Sequence, residues 1–100
     1  MSGKKQFKLR DIRHRAGMNQ QEFWAKIGVT QSGGSRYETG RAMPRPVREL
    51  LRLVHVEGID PGRAKGEQFA IAARLRVTNP SLYQRLRQEV RSLSHKKSRR

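Results

Sequence analysis

The stretch MNQQEFWAKIGVTQSGGSRYETGR, residues 18–41, decides the fold. Asn19 is a good helix N-cap, and Glu22 stands three residues later as its capping-box partner. Phe23, Trp24 and Ile27 then give a short helix one apolar face, and Gly28 ends it. Thr30 caps the next helix, over about 31–39, which closes at Gly40. Helical spacing turns Gly34, Tyr37 and Glu38 of that helix inward and leaves Gln31, Ser32, Ser35 and Arg36 outside. Two short helices joined by a tight turn have the layout of a helix-turn-helix, whose second helix enters the DNA major groove while the first crosses the backbone.

Upstream, the spacing predicts a first helix over 5–16, with Leu9, Ile12 and Ala16 inward and Gly17 as its left-handed cap. Downstream, Pro46 opens a fourth helix whose Val47, Leu50, Leu51 and Val54 form an i, i+3, i+4, i+7 stripe ending near Gly58. Asp60-Pro61-Gly62 marks a turn. A fifth helix follows in GEQFAIAARLRV, with Phe69, Ala72, Ala73 and Val77 on one side and Ile71 and Leu75 on another. Asn79-Pro80 starts a sixth, whose Leu82, Leu86, Val90 and Leu93 make a narrow stripe that must be covered. Alternating strand patterns are missing, so the expected fold is all-α: a compact bundle of four to five helices with a C-terminal helical extension. The expected divisions are a DNA-binding domain at 5–58, an extension for packing or dimerisation at 59–94 and a disordered basic tail at 95–100.

Composition narrows the partners. In 100 residues of which 34% are hydrophobic, 23 Lys and Arg stand against 8 Asp and Glu, a net charge of +15 shared almost equally between 1–57 and 58–100. Such an excess selects polyanions, nucleic acid first and an anionic membrane second, with double-stranded DNA the expected partner, and a core this small leaves no room for a large active-site cavity. No small-molecule ligand is evident. There is no cysteine, and the three histidines are isolated, so no metal site and no cofactor is expected. His14 and His55 sit on predicted helices without neighbouring ligands, which makes them surface or internally satisfied groups. SGGS lacks the lysine and spacing of a phosphate-cradling loop, and no nucleophile and base are paired, so catalytic residues and enzyme activity are not expected. Neither a signal-peptide stretch nor an apolar run of membrane-spanning length occurs, and the expected location is the cytoplasm, on a bacterial nucleoid when bound to DNA.

Taken together, Arg13 near the end of the first helix, NQQE opening the second, IGVTQS across the turn and RYETGR closing the third resemble the helix-turn-helix of the phage Cro and repressor, or Xre, family over about residues 8–57. The resemblance implies that Gln20 binds a backbone phosphate, that Gln31 and Ser32 face base edges, that Arg36 reaches a base or phosphate one turn later, and that Arg41 holds the backbone. It also implies a buried structural ion pair between Arg13 and Glu38. Side-chain chemistry independently suits these roles: an amide pairs bidentately with adenine, and a guanidinium with guanine O6 and N7. Thr30, Gly33 and Ser35 complete the expected DNA-facing set. The expected function is that of a sequence-specific transcriptional regulator, a repressor, with an adaptor of the multiprotein-bridging type or an antitoxin as alternatives, and with a homodimer through 59–94 to span two half-sites.

Two positions depart from the family. It usually has a small residue at position 24 and a branched aliphatic at position 34, whereas this chain has Trp24 and Gly34. Opposite size changes at two facing positions predict compensation, with the indole lying against the backbone of the third helix. Gly33 falls outside the inward face; a residue without a side chain there would let the helix backbone approach DNA.

Overall fold

The computed structural model describes residues 2–98, and side chains over 9–93. Its elements in chain order are α1 (Ser2–Arg15), α2 (Gln20–Ala25), α3 (Gln31–Glu38), α4 (Arg45–Leu51) continuing into a π-helical turn (Arg52–Val56), α5 (Gly66–Thr78) and α6 (Pro80–Ser98). No strand occurs among the described residues, and no described helix is long and apolar enough to cross a membrane. The fold is all-α. The chain divides into two units, residues 1–63 and residues 64–100.

In the first unit each short helix begins and ends on a local device. The Asn19 side chain accepts from the Glu22 backbone N–H at 2.8 Å while the Asn19 N–H donates to Glu22 Oε1 at 3.0 Å, closing the capping box. Thr30 Oγ1 accepts from the Gly33 N–H at 3.1 Å and starts α3. Between them the chain reverses at Gly28, whose φ of 76° is a left-handed conformation that a side chain disfavours. The core these elements enclose is Leu9, Phe23, Trp24, Ile27 and Leu51, with Ile12, Tyr37, Val47 and Val54 packed at its edge.

Two expectations about packing need correction. Ala16 is exposed, because α1 ends at Arg15 and Gly17 already turns away with φ 69°, leaving Ala16 past the last inward turn. Leu50 is also exposed; Leu51, flanked by Val47 and Val54, fills the core, and Leu50 sits at the edge of the stripe. The ladder then widens from α to π at Arg52, where the Glu57 N–H reaches the Arg52 carbonyl at 2.8 Å, five residues back.

The second unit holds α5 and α6. Asn79 is the only residue between α5 and α6, and its Oδ1 accepts from the Leu82 N–H at 3.2 Å to cap α6. Antiparallel helix pairs use connections of about 2–5 residues. With one, the half-buried residues Leu75, Leu82 and Tyr83 gather beside the joint, while Phe69, Ile71, Ala72, Ala73, Val77, Leu86, Val90 and Leu93 are exposed. Beyond its first turn the leucine stripe is not covered within this unit of the single chain. Of the expected basic tail at 95–100, the backbone is helical through Ser98 and the last two residues lie outside the described residues.

Candidate nucleic-acid interface

Glu38 is the anchor of α3. It is completely buried at the helix C-terminus, where a carboxylate is costly unless each oxygen is hydrogen-bonded. Arg13 of α1 donates to it twice, from Nε to Oε2 at 2.9 Å and from Nη2 to Oε1 at 3.0 Å. Trp24 of α2 adds its indole Nε1–H to Oε2 at 2.8 Å, and Gln20 adds Nε2–H to Oε1 at 3.2 Å. Burial pushes the carboxyl upward, but the bonds from Arg13, Trp24 and Gln20 and the charge of Arg13 outweigh it and hold the group below the usual carboxylate range. One carboxylate thereby ties three helices together.

Gly34 makes the same junction possible by lacking a side chain. A Cβ there would overlap Cδ1 and Cγ of Trp24 and lie 2.6 Å from Cδ2. The indole therefore lies on the backbone of α3, held in place by Phe23 in edge contact at 5.3 Å and by Tyr37 tilted against it at 5.5 Å. Gly33 is placed differently. Its Cβ direction points back at the cap, 3.1 Å from Thr30 Oγ1 and 3.3 Å from Val29 Cγ1. A side chain there would make the Thr30 hydroxyl and the Val29 methyl give by a few tenths of an ångström.

With its rear face fixed, α3 presents the other expected site residues as a group. Gln31, Ser32 and Arg36 are exposed, and Ser35 is half-buried beside them. Thr30 lends its hydroxyl to the cap, and Arg41 lies exposed just past the helix, its backbone N–H bonded to the Arg36 carbonyl at 2.9 Å. Gln20 is half-buried and faces Glu38 rather than standing free.

One interior contact had no sequence signal. His55, in the π-helical turn, stacks on Phe23 with centroids 3.7 Å apart and planes 12° from parallel, and its Nε2 lies 2.8 Å from the Phe23 carbonyl. A carbonyl only accepts, so Nε2 carries the hydrogen and the neutral ring satisfies the site. Burial lowers the affinity of the ring for a second proton; the carbonyl acts the other way, and nearby Lys26 adds to the lowering. Just below pH 6.5 the unfolded chain binds this proton more readily than the folded one, so stability falls as pH drops through that value. Thermal unfolding across pH 5–8 should show this loss, and His55→Gln should flatten it; an unchanged profile in the variant would assign the dependence elsewhere.

Residues 10–54 match a family model described as an RsaL-like HTH domain. No curated protein and no solved structure matches the chain. A capped helix, a glycine turn and a second capped helix, braced by the first helix, give residues 10–54 the build of a helix-turn-helix domain, similar to the RsaL-like one that this model describes.

Proposed function

We propose that this protein is a sequence-specific transcriptional repressor of the Cro and repressor (Xre) kind that sets α3 in the major groove of double-stranded DNA and acts as a homodimer through residues 59–94. The observation that carries the reading is the division of α3: Gly34 and Glu38 are buried against α1 and α2, while Gln31, Ser32 and Arg36 stand free along the other side. Gln31 reads adenine, Arg36 reads guanine, and Ser32 serves either base. Gln20 and Arg41 hold phosphates, which fix the register without specifying sequence. Thr30, Gly33 and Ser35 shape the edge that meets the groove. The partner is DNA in the cytoplasm, on the nucleoid.

The open apolar surface of the second unit supports the homodimer. Phe69 is 53% exposed, Ile71 60%, Val77 73% and Leu93 65%, large apolar side chains that a partner would remove from water. A second copy would cover it and would give the complex the two-fold symmetry of a palindromic operator. Selection from a pool of randomised duplexes at fixed salt tests the whole reading. Recovery of a motif with two related half-sites is expected. A pool with no enriched motif would contradict sequence-specific reading and favour an adaptor.

A further inference from the structure

The Glu38 cluster holds one cation more than the carboxylate needs. Arg10, one turn before Arg13 on α1, places Nε 3.9 Å from Glu38 Oε1. That distance is too long for a hydrogen bond. Arg13 already neutralises the carboxylate through two bonds and has a side chain only 13% exposed, whereas the Arg10 side chain is 52% exposed. Among the described residues Arg10 donates no hydrogen bond and meets no other carboxylate, so its guanidinium keeps its full set of donors and the surplus charge of the cluster. Gln20 brings a second free donor to the same place: its amide nitrogen has two hydrogens, and the bond to Glu38 Oε1 uses one.

An exposed guanidinium and a half-buried amide that approach the same carboxylate oxygen, with one positive charge left unbalanced, fit an anion with several acceptor oxygens. We infer that Arg10, although it lies on α1 outside the helix-turn-helix pair, contacts a phosphodiester of the duplex together with Gln20, with Glu38 as the buried anchor that positions both. The inference rests on the DNA-binding reading above. Glu38 lies seven residues after Gln31, about 10 Å along α3 at 1.5 Å per residue, so this contact flanks the base-reading end and carries no sequence information.

The test is binding of a fluorescein-labelled, random-sequence 20-base-pair duplex to the full chain, by anisotropy over a series of salt concentrations. Arg10→Gln should reduce the slope of log K against log salt by about 0.9, equivalent to about eightfold weaker binding at 0.1 M salt. Arg10→Lys should keep most of the slope. Arg15→Gln is the charge-matched control: Arg15 lies on the same helix, paired with Asp11, and should leave the slope as in the wild type. The Tm of Arg10→Gln should stay close to that of the wild type, because a half-exposed pair at 3.9 Å adds little to stability. A slope in Arg10→Gln equal to that in Arg15→Gln would overturn the Arg10 contact while leaving DNA binding intact. A wild-type chain that does not bind the duplex at any salt would overturn the contact together with the reading it rests on.

Discussion

Gly34→Ile should destabilise this chain, and combining it with Trp24→Ala should cost less than the two changes summed. The side chain would enter space filled by the indole, whose atoms a Cβ alone already overlaps. Trp24 cannot step aside without breaking its 2.8 Å bond to Glu38 and its edge contact with Phe23. A glycine in a helix normally gains about 1 kcal/mol when replaced by alanine, so a loss even in Gly34→Ala would show that the overlap prevails. Overpacking of a core costs about 1–3 kcal/mol, occasionally more, and Trp→Ala in a core costs about 3–5 kcal/mol. If the two residues exchange volume, urea unfolding of the double variant should be milder than the sum of the singles by about 1–3 kcal/mol. Simple additivity would show that Trp24 and Gly34 do not compensate.

Glu38→Ala should destabilise the first unit by about 3–5 kcal/mol, the usual result of leaving one partner of a buried ion pair without the other. Small domains have a total stability of about 5–15 kcal/mol, so this variant should be largely unfolded at modest temperature. Arg13, Trp24 and Gln20 would all lose their acceptor at once. The same network sets the acid limb of stability. Because the folded-state pKa of Glu38 lies below its unfolded value of 4.5, its contribution is complete above that pH and disappears as pH falls through the folded value. Glu38→Gln, which keeps the shape and removes the titration, should be less stable at neutral pH and lose less on acidification. Wild-type stability in Glu38→Ala would mean that the carboxylate does not hold α3.

The start of α2, the start of α3 and the reversal at Gly28 were legible because each is determined within four residues, by a capping side chain or a positive φ. The exchange between Trp24 and Gly34 was legible as two opposite departures in size at facing positions of a motif. What the motif could not disclose is that the indole also has a polar end: the Nε1–H finds Glu38 fourteen residues away, and residue spacing carries no orientation for a ring. His55 on Phe23 spans thirty-two residues and depends on a π-helical widening that periodicity at 3.6 residues cannot register. Arg10 was indistinguishable from the other surface cations until the distance to Glu38 gave it a place. In the C-terminal unit the helices were legible and their burial was not, since an apolar stripe specifies what should be covered and not what covers it.

Base reading by α3 can be put to the test by repeating the randomised-duplex selection with Gln31→Ala beside the wild type. Gln31 stands exposed at the first position of α3, clear of the buried junction, so the variant should fold normally. The variant should enrich the same motif with discrimination lost at one base-pair position in each half-site, a loss of about 1–3 kcal/mol there. A motif identical to the wild type at every position would contradict it.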